Sequence, residues 1–355
     1  MSHLKTDGRR TLFVCHLLVL AAALLSTASD YGQTAATGAT TNAKTSPLPG
    51  RQIWVVGDKG FIAHTEDSGV TWKKQSSGTQ TDFYSVCFFN SQSGWAVGHS
   101  TFIVHTEDGG RSWQPQETGI HAPITVLHAT TFVSAQSGWA VGYPDLILHT
   151  DDGGHSWRNQ YHGSSVLPHE FKAVTFLTPQ SGWIVGHGGL ILHTEDSGRT
   201  WQQQPSGTDT DLDSVAFNAP KSGWATGYAN WHHIILHTED GGLTWHEKVI
   251  GNYKDEFGDI YFNTPESGWI ILLEEHDAGS VLHTEDGGLT WQKQKTGIDE
   301  KVTFVVFDTP TLGVAVGRFG TILTTEDGGL TWQERDSGTD EDWLHAVAFS
   351  KGTGF

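Results

Sequence analysis

The chain alternates short apolar runs with clusters of turn residues along most of its length. One repeat contains four such runs: Leu212–Phe217, Trp224–Gly227, Ile234–Thr238 and Thr244–Lys248. Each run has the length of a strand, and the segments between the runs are rich in Gly, Pro, Asn and Ser. We therefore predict four strands per repeat, named A to D in chain order, and no long helix after residue 30.

Strand C of each repeat runs into a recurring turn, which reads His-Thr-Glu-Asp-Gly-Gly-Leu-Thr-Trp at 237–245 and again at 283–291. Seven copies fit Thr-x-Asp-x-Gly-x-(Ser/Thr)-Trp, and they end at Trp72, Trp113, Trp157, Trp201, Trp245, Trp291 and Trp332. Their spacing of 41 to 46 residues, with four strands in each period, is typical of propeller blades. The sequence predicts an all-β fold, a seven-bladed β-propeller of four-stranded blades.

This turn, known as the Asp-box or BNR repeat, has a simple chemical basis. An Asp side chain accepts hydrogen bonds from backbone N–H groups just downstream, and Gly supplies a positive φ angle. The Trp that follows buries a large ring. We interpret the seven aspartates as structural: Asp67, Asp108, Asp152, Asp196, Asp240, Asp286 and Asp327. Six histidines that precede the turns are interpreted in the same way: His64, His105, His149, His193, His237 and His283.

The two ends of the repeat region complement each other. The first repeat contains strands B and C, Trp54–Gly57 and Phe61–His64, but no strand A. The C-terminus ends with a strand A, Trp343–Phe349, that no further strands follow. We predict that this C-terminal strand pairs with the N-terminal blade and closes the ring. The alternative is a truncated eighth repeat.

The first fifty residues differ from the repeats. Residues 1–28 have a basic start, an apolar run from Leu12 to Leu25 and small residues before a cleavage site after Ala28, so we predict a signal peptide. Residues 29–50 form a Thr/Ala/Ser/Gly-rich linker, and 51–355 is the propeller. We expect export to the periplasm or the cell exterior, with a membrane tether if the signal stays uncleaved. Cleavage would leave Cys87 as the single cysteine, without an intrachain disulfide.

The charge of the chain limits its partners. The net charge is −19, and removing residues 1–28, which carry three basic residues and one acid, makes it −21. This charge argues against nucleic acid and against direct binding to an anionic membrane. We expect a monomer with a protein partner.

The candidate binding residues lie in loops between strands B and C. In a propeller, the B–C and D–A loops share one face around the central channel, and the Asp-box turns lie on the other. Two B–C loops are expanded, 228–233 and 274–279, and they belong to adjacent blades. The candidate binding residues are Trp231, His232, His233, Glu274, Glu275, His276 and Asp277.

Three interpretations of these loops stay open. They are a solvated acidic rim, a protein- or peptide-binding surface with Trp231 as an aromatic anchor, or a metal or catalytic site built from the histidines and carboxylates. No tight metal-ligand spacing is present, and no residue pair stands out as acid and base. We therefore predict no catalytic residue, no metal and no cofactor.

The combination of Gly-Trp-Ala-Val-Gly, a short loop and Ile-Leu-His-Thr-Glu-Asp-Gly-Gly-x-Thr-Trp resembles the photosystem II stability/assembly factor family over nearly all of 51–355. Photosynthetic members are lumenal or periplasmic factors that bind membrane-protein precursors, so the resemblance implies an exported, non-enzymatic scaffold or assembly factor. Those members are thought to use an arginine-rich patch. The six arginines from residue 51 onwards instead occupy different repeat columns or opposite faces: Arg51, Arg111, Arg158, Arg199, Arg318 and Arg335.

Asp-boxes also occur in sialidases and xyloglucan hydrolases, so the alternative function is a carbohydrate-binding or glycoside-hydrolase propeller. A sialidase needs three arginines around the substrate carboxylate, and the loop face does not supply them. A paired-carboxylate glycosidase would have to use Glu274, Glu275 or Asp277.

Overall fold

The structure is a computed structural model, and it describes residues 15–16, 50–120, 124–161, 168–229, 232–250, 256–273, 280–295, 302–339 and 342–350. Seven sheets, each containing four antiparallel strands of the repeat, follow one another along the chain. The innermost strands of neighbouring sheets contact each other all around the ring. The seven-bladed propeller predicted from the repeat spacing is confirmed.

In blades 1 to 7, the innermost strand A comprises Leu344–Phe349, Phe83–Phe88, Val126–Phe132, Phe171–Phe176, Leu212–Phe217, Glu256–Phe262 and Val302–Phe307. Strand B comprises Ile53–Gly57, Gly94–Gly98, Gly138–Tyr143, Gly182–Gly186, Gly223–Ala229, Gly268–Leu273 and Gly313–Gly317. Strand C comprises Ile62–Thr65, Ile103–Thr106, Leu146–Thr150, Leu190–Thr194, His232–Thr238, Ser280–Thr284 and Ile322–Thr325. The outer strand D comprises Lys73–Gln75, Gln114–Gln116, Arg158–Asn159, Gln202–Gln204, His246–Glu247, Gln292–Lys295 and Gln333–Arg335. Short 3₁₀ turns join strands B and C at Asp58–Gly60, His187–Gly189 and Arg318–Gly320.

The ring closes as predicted. Strand A of blade 1 comes from the C-terminus and pairs antiparallel with strand B from the N-terminal end of the propeller, with Val347 opposite Val55. The side chains of Leu344 and Val347 are buried in the core of that blade. The predicted closure is confirmed, and the sheet order of blade 1 is complete without an eighth repeat.

Blades are joined by stacked rings that come from two adjacent blades. Trp54 of blade 1 stacks on Phe88 of blade 2 with the ring centroids 3.5 Å apart, and His64 covers the other face of the indole at 4.4 Å. Equivalent Trp–Phe pairs join blades 2 to 5 and blades 6 and 7, with centroids 3.5 to 3.8 Å apart, whereas Trp224 and Phe262 between blades 5 and 6 are 6.4 Å apart. Between blades 7 and 1, Val314 and Thr324 occupy the Trp and His positions. The closing joint therefore lacks the indole that stabilises the other six.

The two faces of the propeller differ in the backbone hydrogen bonds that hold their loops. On one face, each Asp-box turn is bonded to the A–B turn of its own blade, as in Gly109 N–H to Gln92 O at 2.9 Å. On the other, the start of a B–C turn is bonded to a D–A loop, as in His187 N–H to Glu170 O at 3.0 Å. We call these the Asp-box face and the loop face.

The N-terminal region adds one short element. A two-residue strand, Cys15–His16, pairs in parallel with Val174 and Thr175 of blade 4 and lies against the innermost strands of blades 2 and 3. Cys87 is disulfide-bonded in this structure of the full chain, and Cys15 is the other cysteine of the sequence. The prediction of a single cysteine without a disulfide applies to the chain after removal of residues 1–28. The rest of 1–28 and nearly all of the linker lie outside the described residues. Within the described ranges, no helix is long and apolar enough to cross a membrane.

Candidate functional site

The Asp-box aspartates direct their polar atoms into their own turns. In blade 5, Asp240 accepts hydrogen bonds from Thr238 Oγ1 at 2.8 Å, from Thr244 N–H at 2.9 Å and from Thr244 Oγ1 at 2.6 Å. The same three bonds recur in the other six turns. Hydrogen bonding lowers the pKa of Asp240 to about 2. These carboxylates therefore hold the turns and have little capacity left for a ligand.

The recurring histidines are also held inside their blades. Nε2 of His105, His149, His193 and His283 lies 3.2 Å from a serine hydroxyl at the start of strand B. Burial lowers the pKa of His105 and His149 to about 4. The nearby carboxylates of Glu107 and Asp151 raise these pKa values, but burial has the larger effect. These imidazoles are neutral at pH 7 and act as stacking and hydrogen-bonding groups.

Of the candidate binding residues, only the blade 5 histidines fall within the described chain. Strands B and C extend to Ala229 and from His232, so the predicted six-residue loop is largely a longer β-ladder with Tyr228 opposite His233. The half-buried ring of His233 stacks on Tyr228 at 4.3 Å between centroids. The remaining candidates lie outside the described residues: Trp231, Glu274, Glu275, His276 and Asp277.

A second group of polar residues was not recognised from the sequence. Strand A departs from regular pairing in every blade, where one residue is inserted opposite the end of strand B. Such β-bulges re-aim a side chain and are frequent next to functional sites. The bulge residues of blades 1 to 5 and 7 are His345, Tyr84, His128, Lys172, Asp213 and Thr303, and the irregular segment of blade 6 is Gly258-Asp259.

These bulges form a continuous polar belt near the loop face. The ring of Tyr84 lies 5.4 Å from His345 and 6.3 Å from His128. His128 Nε2 is 3.0 Å from Glu170 Oε1 of the next blade, and Lys172 Nζ is 2.7 Å from Asp213 Oδ1. The belt thus passes from one bulge to the next through blades 1 to 5.

Charge is distributed unevenly along the belt. The blade 1 to 3 side is made of imidazole and phenol groups, whereas Lys172 lies between Asp213 and Asp211 on the other side. Burial alone would lower the pKa of Lys172, but these carboxylates raise it, so the lysine stays charged. Burial raises the pKa of Asp259 well above the ordinary value, and its Oδ2 has no hydrogen-bond partner.

The belt offers recognition groups, and its geometry indicates no specific reaction. Among the described residues, no group of three or more His, Cys, Asp or Glu side chains could hold a metal ion. The carboxylate of Glu170 contacts His128, and the carboxylate of Asp213 contacts the charged Lys172. The belt is therefore largely buried and paired within itself: Lys172 is a charged partner of Asp213, whereas burial lowers the pKa of His128, so a neutral imidazole contacts Glu170.

Comparison with known proteins agrees with the fold. A family model described as photosynthesis system II assembly factor YCF48 matches residues 33–100, 70–170 and 166–252. These overlapping segments span 33–252, or 220 of 355 residues (252 − 33 + 1). Among curated proteins, no sequence matches this chain.

Solved structures show the same architecture at low sequence identity. A structure described as YCF48 bound to D1 peptide is 22% identical with a TM-score of 0.60, covering 72% of this chain and 81% of that one. YCF48 from Cyanidioschyzon merolae is 18% identical with a TM-score of 0.58, over 76% and 94% of the two chains. The GH74 xyloglucanase from Xanthomonas campestris is 11% identical with a TM-score of 0.63, over 81% of this chain and 53% of that enzyme, so the match covers about half of the enzyme.

Proposed function

Because this chain belongs to the photosynthesis system II assembly factor YCF48 family, we propose that it is an exported, non-enzymatic propeller that binds a segment of another protein during assembly. The family resemblance supports a partner from a membrane-protein complex under assembly. The YCF48 structure bound to D1 peptide supports a peptide segment as the bound element. The predicted signal at 1–28 supports a periplasmic or extracellular location.

The observation that carries this proposal is the difference between the two faces. The Asp-box face repeats one turn seven times and uses its polar groups internally. Near the loop face, the bulge residues change from blade to blade, from Tyr84 to Lys172, which are both buried, and to Asp213, whose side chain is 16% exposed. Recognition of one unique segment requires such non-equivalent groups, because identical blades would offer seven equal and competing sites.

Site-specific photo-crosslinking tests which face is used. A benzoylphenylalanine at His187, whose side chain is 67% exposed, probes the loop face, and one at Leu289, which is 80% exposed, probes the Asp-box face as a matched control. In cells, we expect one discrete protein adduct from the His187 position and none from Leu289. Equal adducts from both positions, or none from either, would refute the proposed function.

A screen for glycan hydrolysis tests the enzyme alternative. The proposal expects no turnover of xyloglucan or sialosides by the purified chain. Hydrolysis that is lost in Glu275→Gln would replace it with a glycoside-hydrolase function.

A further inference from the structure

A short turn in blade 7 displays an aromatic ring on the loop face. Phe319 is 58% exposed, and it is the one aromatic among the strongly exposed large apolar side chains of the described residues. Its backbone is left-handed, with φ 55°, a conformation that costs an L-residue about 1–2 kcal/mol. The corresponding turns of blades 1 and 4 have Lys59, with φ 54°, and Gly188, with φ 67°. The side chain of Lys59 pairs with Asp342, whereas the ring of Phe319 is exposed, and a bulky exposed residue in this conformation points to a role beyond folding.

The neighbouring arginine lacks an ionic partner. Arg318 lies over the ring of Trp343, with its guanidinium carbon 4.3 Å from the ring centroid. Its Nε is buried without a hydrogen-bond partner, and no carboxylate of the described residues pairs with it. Asp342 is nearby, but its two oxygens are engaged by Lys59 at 2.9 Å and Thr339 at 2.9 Å.

Other arginines of the propeller differ from Arg318. Arg51 pairs with Asp308 at 2.7 Å, and Arg335 donates to Thr324 at 2.9 Å. Arg111 and Arg199 are exposed on the Asp-box face, where water solvates them. Arg318 is half-buried and lies over an indole, with donors left over. A guanidinium in that state binds a carboxylate with two parallel hydrogen bonds.

We infer that Arg318, Phe319 and Trp343 form the docking site for a partner segment that carries a carboxylate next to an apolar side chain. The carboxylate binds the Arg318 guanidinium, and the apolar side chain packs on the Phe319 ring. Aromatic and arginine side chains in this combination are the residues that most often dominate binding energy at interfaces. The chain is acidic overall, but charges beyond about 8 Å are screened at physiological salt. The local contact with Arg318 therefore determines whether an acidic segment binds.

This inference rests on the proposed function and names the chemistry of the bound segment. Its test is selection of random 12-residue displayed peptides on the wild type, on Arg318→Gln and on Arg111→Gln, a matched arginine on the opposite face. We expect the wild type and Arg111→Gln to enrich peptides with Asp or Glu within two residues of Leu, Phe or Trp. Arg318→Gln should lose that enrichment.

The strongest selected peptide is then measured by fluorescence polarisation beside its amide analogue, Glu→Gln or Asp→Asn. The wild type should bind the analogue about tenfold to a hundredfold more weakly, as for a lost hydrogen bond to a charged group, and Arg318→Gln should bind both peptides equally. The amide analogue is also measured with a free C-terminal carboxylate. Restored binding would identify a chain end, rather than an acidic side chain, as the source of the carboxylate that Arg318 binds. Phe319→Ala, which leaves the guanidinium in place, should weaken binding about tenfold or more.

Thermal unfolding of each variant shows whether lost binding reflects lost folding, and Phe319→Ala keeps the test open if Arg318→Gln is unstable. Identical peptide families from the wild type and Arg318→Gln would overturn the docking site and leave the proposed function intact. No enriched peptide from the wild type, together with no loop-face crosslink, would overturn both.

Discussion

The six recurring histidines, three of them buried and three half-buried, make the stability of the fold depend on pH. Burial lowers the pKa of each of them, and that of His105 and His149 to about 4 from an ordinary 6.5. A lowered histidine pKa means that the unfolded chain takes up protons before the folded chain does. The contribution of these neutral imidazoles to the free energy of unfolding is therefore fully present above pH 6.5, and it is lost as the pH falls from 6.5 towards 4.

The size of the effect follows from the pKa difference. A difference of about 2.5 units corresponds to about 3 kcal/mol for each of His105 and His149, both less than 9% exposed. Two such groups together approach the whole stability of an ordinary domain, about 5–15 kcal/mol. Near pH 5.5, each should contribute a slope of about 1 kcal/mol per pH unit to the free energy of unfolding.

Urea unfolding at pH 7.5, 6.5, 5.5 and 4.5 measures this slope in the wild type and in His105→Thr, which copies Thr324 of blade 7. The variant should be less stable at pH 7.5, because a stacked ring is lost, but its slope near pH 5.5 should be flatter by about 1 kcal/mol per pH unit. Burial raises the pKa of Asp213, Asp259 and Asp308, which act in the opposite direction. The comparison removes their effect, since both proteins retain them.

Leu330→Ala, at an exposed side chain that does not titrate, is the control and should keep the wild-type slope. If His105→Thr also keeps the wild-type slope, the buried imidazole is not the linked group and the reasoning is wrong.

Three further results are expected. Deleting 344–355 removes the innermost strand of blade 1 and should abolish cooperative unfolding measured by calorimetry; a transition lowered by only a few degrees would contradict ring closure. Replacing Asp67 by Ala removes acceptors for Thr65 and Thr71 and should lower the free energy of unfolding in urea by about 1–3 kcal/mol, whereas no change would show that the turn holds without its carboxylate. Trp95→Val copies the native Val314 of blade 7 and should cost about 3 kcal/mol in the same assay; a loss below about 1 kcal/mol would mean that the indole stack adds little.

The propeller could be predicted because its signals are local. An Asp, a Gly and a Trp within one turn determine that turn by themselves, and their spacing of 41 to 46 residues gives the number of blades. Ring closure could be predicted because the first blade lacks a strand A before Trp54, and the chain has an additional strand A that begins near Leu344.

The site could not be predicted in the same way. A bulge shifts the register of strand A by one residue, so Lys172 and Asp213 leave the alternation that identifies strands. A signal for them exists: the position after Phe83, Phe171 or Leu212 is the one strand A column whose residue changes in charge from blade to blade. Ion pairs between these positions depend on the curvature of the ring, which no single repeat encodes.

Two loop features were missed for different reasons. The insertion at 228–233 looked like a loop, but Tyr228 and His233 pair across it and lengthen the hairpin. Phe319 was missed because its turn is short; aligning Gly317–Gly320 with Gly186–Gly189 shows Phe where blade 4 has Gly, and that contrast is visible only once the turn is known to be left-handed.

The origin of the innermost strand of blade 1 has a consequence for biosynthesis. Blades 2 to 7 consist of contiguous sequence and can form as they emerge from the ribosome, but 344–349 is made after all of them. Until that strand emerges, the nascent ring stays open at the joint that lacks a Trp–Phe stack, with the apolar flank of Val314 uncovered. Nascent chains at that stage are the form most exposed to aggregation and to chaperones. A circular permutant that begins inside a stacked joint would move this delay to another blade, and its folding yield would show how much the cell depends on the final strand.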